Sequence, residues 1–311
     1  GVPALGIGFI EDGKIKETAV YGELTKNKKA PLNTIFNVAS LAKPVTALIA
    51  LKLASAGEWN IDEPLRHYWI DPDLTNDTLL KLLNTRHVLS HQSGFTNWLY
   101  SDKDKKLKFE RAPGTKYGYS GEGYEYLRKA LEKKTGKSFE ALADELIFKP
   151  LSMKDSRFTW SRGMNERRFA QWHKANGEIY PVYKNKKPNA ADDLLTTVED
   201  YCRLLIHTMN GANLTPELFK DMCSRQADIQ LNKFTGLGWT IYQNTGNETL
   251  CLSHGGTDKG VHTIVFLFPE SKKGLVIFTN SDTGTKVFID TIIHYLGETG
   301  RRIIDIELGR S

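Results

Sequence analysis

The chain has 311 residues, 42 Lys and Arg against 37 Asp and Glu, and a net charge of +5. A 40% hydrophobic fraction with 25% charged residues supplies a sizeable core and excludes wholesale disorder, and no apolar run reaches the length needed to cross a bilayer. Basic residues are spread along the chain, and the densest run, Lys103–Lys108, reads as a solvated loop, so no nucleic-acid partner is expected. Cys202, Cys223 and Cys251 have no metal-like spacing and suggest no disulfide framework.

In chain order, Leu5–Ile10 and Ile15–Gly22 flank Asp12-Gly13 and predict a hairpin. A helix apolar nearly all round follows, from Val45 to Ala54, with Pro44 in its first turn and Gly57 as its stop. That places Ser40 at or near a helix N-terminus. Residues 61–151 read as mainly helical in short pieces, clearest at Leu127–Thr135 and Phe139–Phe148. Residues 158–189 read as irregular, with a hairpin at Asn176-Gly177. Thr197–Met209 is helical with Thr197 as cap. Gly238–Tyr242, Thr249–His254, Val261–Phe268 and Gly274–Asn280 are β-rich, and a last helix spans Thr285–Leu296.

Strands at both ends of the sequence must share a sheet. The expected class is α+β: an antiparallel sheet flanked by terminal helices, with an inserted mainly helical subdomain. Residues 1–35 and 190–311 would form the sheet unit and 36–189 the helical unit, with the active site at their junction.

Ser40 and Lys43 lie three apart, so a helix puts them on one face. A serine hydroxyl needs a neighbouring base, and a lysine can be one if burial and a helix N-terminus strip its charge. Alone the pair is weak, since chance supplies about one such spacing in a chain of this kind, and a capping serine beside a surface lysine is the plainer account.

Context changes the weighting. Tyr117-Gly118-Tyr119-Ser120-Gly121-Glu122-Gly123-Tyr124 precedes a helix, and Leu252-Ser253-His254-Gly255-Gly256-Thr257 runs up to Gly260. With Ser-x-x-Lys, these segments resemble the three motifs of the serine β-lactamase and penicillin-binding-protein superfamily, nearest to its class C, esterase and D-aminopeptidase-like branch. Val88–Phe95, Leu195–Asp200 and Gly236–Trp239 fall in the matching order. Two features of that family's usual opening, a helix before the first strand and a leader, are not seen; its habit nevertheless implies an exported or periplasmic protein.

The resemblance implies Ser40 as nucleophile of an acyl-enzyme, Lys43 and Tyr119 as proton-transfer partners, and the backbone N–H groups of Ser40 and Thr257 as oxyanion donors. His254, Gly255, Gly256 and Gly121 would contact substrate, with no metal or organic cofactor. Two departures bear on specificity. The second motif usually ends in Asn, where this chain has Gly121, with Glu122 as a replacement or a surface charge. The third usually opens with Lys, where this chain has His254, so anionic substrates should bind better below about pH 6.5, with Lys259 as a partial substitute.

The expected activity is therefore a serine hydrolase acting on small esters or amides. A β-lactamase, a D-amino-acid peptidase or penicillin-binding protein, and a penicillin-binding sensor without turnover are the alternatives. An α/β-hydrolase elbow at Gly118–Glu122 lacks its final glycine and its strand. His87 and His91 sit at a metal-ligand spacing but have no third ligand nearby. Trp98, Tyr100, Trp160 and Trp239 are candidates to line a cleft or pack at its rim.

Overall fold

A computed structural model describes residues 1–101, 103–161 and 163–310. Strands β1 (Ala4–Glu11) and β2 (Lys14–Thr25) form the expected hairpin, and a short β3 (Lys28–Lys29) extends it. Further along come β4 (Phe36–Asn37), helix α1 (Ala42–Ser55), α2 (Thr85–Leu89), α3 (Gly121–Thr135) and α4 (Phe139–Ala143). The remainder comprises β5 (Leu195–Thr196), α5 (Val198–Met209), α6 (Pro216–Met222), β6 (Ala227–Gln230), β7 (Lys233–Thr235), β8 (Thr240–Tyr242), β9 (Cys251–Asp258), β10 (Val261–Phe268), β11 (Lys273–Thr279) and α7 (Phe288–Glu307).

Nine strands form one antiparallel sheet in the order β3-β2-β1-β11-β10-β9-β8-β7-β6. The two ends of the chain meet in its centre, where Leu5 pairs with Thr279 and Ile10 with Gly274. This is the α+β arrangement expected. Helix α5 packs on one face against β1, β2 and β11, and α7 covers the other. Helix α1 is buried on nearly every side, from Ala42 to Leu53, which its uniformly apolar sequence requires. Among the described residues no helix is long and apolar enough to cross a membrane. The three cysteines are free thiols.

Several expectations need correction. Residues 61–120 are mostly short 3-10 turns and loops, with α2 the one α-helix among the described residues of this stretch. Asp71, Asp77 and Asn84 cap the starts of successive short turns there, and leucines between them reach the core from those turns. Helix α3 begins at Gly121, six residues earlier than its apolar pattern, because Ser120 caps it by accepting from Gly123 N–H. Strands β6 and β7 and helix α6 were not foreseen. The third-motif segment lies inside β9, whose pairing with β10 continues to Asp258.

The last helix also runs further than Leu296. Gly297 has φ 57° and breaks it, and a second helical arm then returns to Glu307. A glycine at that place reads as a stop, but the apolar positions resume at Ile303 and Ile306 and give the second arm a buried face.

Candidate active site

The position of Ser40 is set by a tight turn. Residues Ala39–Leu41 form a 3-10 turn leading directly into α1, and Ala39 has φ 48°, a left-handed conformation that alanine adopts only when its surroundings enforce it. Ala39 N–H donates to Asn37 Oδ1 at 2.7 Å, Val38 N–H to Leu194 O at 2.9 Å, and Thr263 Oγ1 to Val38 O at 3.0 Å. The turn is thus held by β4, by the chain beside β5 and by β10.

Lys43, one helical turn on, is fully buried. Its Nζ lies 3.0 Å from Ser40 Oγ and donates to the Ala191 carbonyl at 2.8 Å. Burial brings its amine down from 10.5 to about 7, although the Asp192 carboxylate pulls the other way. Burial also lifts the Asp192 carboxyl to about 7, helped by the neighbouring Asp193 charge and opposed by Lys43.

Tyr119 completes the group. Tyr119 and Ser40 line the same cavity, and Lys43 Nζ sits 4.6 Å from the Tyr119 ring centre. Burial holds its phenol above the ordinary value of 10, so it is neutral near pH 7. The loop carrying it is fastened by His91, whose carbonyl accepts from Gly118 N–H at 2.7 Å and whose Nδ1 accepts from Ser120 N–H at 3.2 Å. The His91 ring lies 4.2 Å from the Tyr119 ring, and burial keeps it uncharged. His91 thus belongs to the site, whereas His87 is tied to the Leu82 carbonyl at 3.0 Å and packs beneath Gly114. The two do not form a metal pair.

Strand β9 passes along the other side of Ser40. A Cβ on Gly256 would lie 2.4 Å from Val38 O and 3.2 Å from Ser40 N, so only glycine lets the strand approach this closely. Gly256 therefore packs on the turn that carries Ser40, and the cavity lining holds its neighbours Gly255 and Thr257 rather than Gly256 itself. Pairing of β8 with β9 ends at Thr240–Ser253, which leaves the His254–Thr257 edge without a strand beyond it.

The cavity occupies about 380 Å³, and its walls include Ser40, Tyr119, Asn97, Trp98, Asp192 and Trp239. Gly121 is absent from it: a Cβ there would meet the Trp98 ring at 2.6 Å, so the indole covers the place where the family's asparagine is expected. An amide is nonetheless present, from Asn97, whose Oδ1 accepts from Gly121 N–H at 2.9 Å. Glu122 is neither a replacement nor a loose surface charge, since it accepts from Leu99 N–H at 2.9 Å and anchors the Asn97–Leu99 loop. Tyr100 is 75% exposed and stacks on Trp98, and Trp160 packs on Phe169 in a separate cluster.

His254 lines the cavity but does not gain the charge expected below about pH 6.5. Burial and the nearby Lys43 push it down to about 3, against a hydrogen bond to the Gly255 carbonyl that raises it. Because a carbonyl only accepts, the Nδ1 that lies 2.8 Å from Gly255 O holds the proton. Nε2 is then a bare acceptor, so no gain in anion binding below pH 6.5 follows from this residue. Lys259 is exposed on the β9–β10 turn and does not line the cavity; the cation there is Lys233, paired with Glu307 at 2.6 Å. Asn97, Asp192 and Lys233 carry no local motif, and the long-range fold alone brings them to Ser40.

Comparison with known proteins agrees with this fold. Protein flp of Staphylococcus aureus (strain MW2) is 23% identical over 308 residues, covering 90% of this chain and 60% of its own length. Penicillin-binding protein 4* of Bacillus subtilis (strain 168) is 24% identical over 305 residues, covering 86% and 65%. The chain thus spans under two thirds of the length of these relatives. Among solved structures, the octameric penicillin-binding protein homologue from Pyrococcus abyssi superposes with a TM-score of 0.79 at 21% identity, covering 100% of this chain and 74% of that one. A penicillin-binding protein from Bacillus halodurans gives 0.80 at 18%, covering 93% and 95%. A model of the Beta-lactamase family matches residues 1–296, and the chain belongs to that family.

Proposed function

We propose that the protein is a serine hydrolase that forms an acyl-enzyme on Ser40 and acts on small, uncharged esters or lightly decorated amides. The observation that carries this reading is the buried Lys43 amine 3.0 Å from Ser40 Oγ, brought down to about 7. An amine poised there is a competent base at neutral pH.

In the proposed reaction Lys43 Nζ takes the hydroxyl proton as Ser40 Oγ bonds to the substrate carbonyl carbon. The carbonyl electron pair moves to oxygen, and the resulting oxyanion accepts from the N–H groups of Ser40 and Thr257. Collapse re-forms the carbonyl and expels the leaving group, which takes its proton from Lys43 through the Tyr119 hydroxyl. Water then enters and its oxygen bonds to the acyl carbon while its proton passes along the same path to Lys43; collapse breaks the bond to Ser40 Oγ, which takes that proton back from Lys43, and the acid is released. Lys43 is preferred over Tyr119 as the base because burial lowers the amine and raises the phenol.

The preference for uncharged substrates follows from two observations. The third-motif position holds a neutral His254, and the cavity's one lysine, Lys233, is already paired with Glu307. A carboxylate-bearing lactam would find no free cation among the described residues of the cavity. The test is steady-state hydrolysis of p-nitrophenyl acetate and nitrocefin by wild type and Ser40→Ala. The expected result is ester hydrolysis that depends on Ser40 and a lower kcat/KM for nitrocefin. A far higher nitrocefin value would overturn the substrate preference. A fluorophosphonate adduct on another residue would overturn the nucleophile.

A further inference from the structure

On the α7 side of the sheet a second cavity of about 340 Å³ adjoins the first, and Lys233, Thr240, His254 and Gly255 line both. Apart from Ser253, Tyr242 and Glu307, the rest of its walls are apolar, with Phe266 from β10, Phe288 and Ile292 from the first arm of α7, and Ile303 from the second. It is a groove that opens to solvent rather than a void sealed in the core.

The gap is kept open by fastenings at its two ends. At the Gly297 bend the arms close on each other, since a Cβ on Gly300 would lie 2.7 Å from Ile292 O. At the far end the second arm is tied to the sheet edge. Glu307 pairs with Lys233 at 2.6 Å and accepts from the Tyr242 hydroxyl, and Gln230 Nε2 donates to Ile306 O at 2.6 Å. Between these fastenings both arms pack on the strands through Ile292, Ile303 and Ile306, and the gap lies beside those contacts. Two large apolar side chains of the lining, Ile289 and Leu308, are 50% and 51% exposed.

The two cavities meet where β8 stops. Thr240 is on the same face as Tyr242, which packs against α7, and Thr240 also lines the catalytic cavity. Beyond the Thr240–Ser253 pair the edge of β9 is free, so a chain attached at Ser40 can pass over that edge to the helix side. We infer that this second cavity binds an unbranched apolar chain of the substrate, whose ester or amide end lies at Ser40. The inference rests on the acyl-enzyme reading for that end and on the geometry of α7 for the rest.

The test is a series of p-nitrophenyl esters from acetate to decanoate, with a matching series of n-alkyl acetates to tell an acyl chain from an alcohol chain. In one series kcat/KM should rise about fourfold per methylene until the cavity is full. Ile304→Trp, or the more exposed Leu308→Glu, should lower the octanoate-to-acetate ratio, or its alkyl-acetate equivalent, at least tenfold. Equilibrium dialysis of uncharged decanamide against Ser40→Ala reads the apolar site without turnover, and saturable binding that either variant weakens is expected. A flat or falling chain-length series in both arms, or decanamide that does not bind saturably, overturns the inference. Acetate hydrolysis that persists with no decanamide binding removes the apolar site alone. Decanamide binding with no Ser40-dependent hydrolysis removes the hydrolase reading alone.

Discussion

Replacing Lys43 by Met should make the protein more stable and catalytically inert. The amine ionises at 10.5 when free and at about 7 in the folded state, where burial is the dominant cause. Between those values the unfolded chain binds the proton that the folded chain has lost, so stability rises with pH across that window. At pH 7 the native state therefore carries a penalty of about 4 kcal/mol from this one group. Methionine removes the penalty and fills similar volume. It also removes the hydrogen bonds from Nζ to Ala191 O and Ser40 Oγ, about 1 kcal/mol each, the buried carbonyl being the more costly to strand. Asp192, already lifted to about 7, takes up a proton once the amine is gone and adds little. The net expectation is a gain of about 2 kcal/mol at pH 7 that shrinks towards pH 10. Urea unfolding of both proteins at the two pH values measures it directly. A variant less stable than wild type at pH 7, or a difference that does not shrink as pH rises, would refute the claim that Lys43 is held against its own preference for water.

Three further outcomes follow from the same geometry. The kcat/KM for p-nitrophenyl acetate should rise through about pH 7 as Lys43 loses its proton, and Asp192→Asn should move that midpoint down, because the Asp192 charge supports the protonated amine; an upward shift in the pH profile contradicts this. Tyr119→Phe should reduce turnover by about 10²–10⁴, and stopped-flow rates equal to wild type would remove the relay. His254→Lys should raise the nitrocefin-to-acetate ratio of kcat/KM by about tenfold or more, the effect of one hydrogen bond to a charged group, and an unchanged ratio would show that the third-motif cation does not set the preference.

The features readable from sequence were those governed by short spacing or strong periodicity. The Asp12-Gly13 hairpin, the all-apolar α1, the Thr197 cap and the three-residue step from Ser40 to Lys43 all depend on neighbours in the chain. Features set by contacts between distant segments were not readable. Nothing local marks Gly121 as lying under Trp98, Gly256 as wedged against Val38, or Lys233 as the cavity's cation. The charge of His254 failed for a similar reason, since a free imidazole gives no notice of complete burial beside an amine. The helical reading of 61–120 overreached because leucines between polar residues can fill a core from turns as well as from helices.

The central seam of the sheet has a consequence for how the molecule is made. Ala4 N–H donates to Asn280 Oδ1 at 2.7 Å across 276 residues of chain, and β1 lies beside β11. Pairings that span such distances close slowly, whereas α1, α3 and α4 can gather from nearby residues. During synthesis the serine's own turn can thus form early, yet the edge strand it faces waits for β10 and β11 to seat against β1. A nascent chain should stay unreactive towards fluorophosphonate until its final third has emerged from the ribosome.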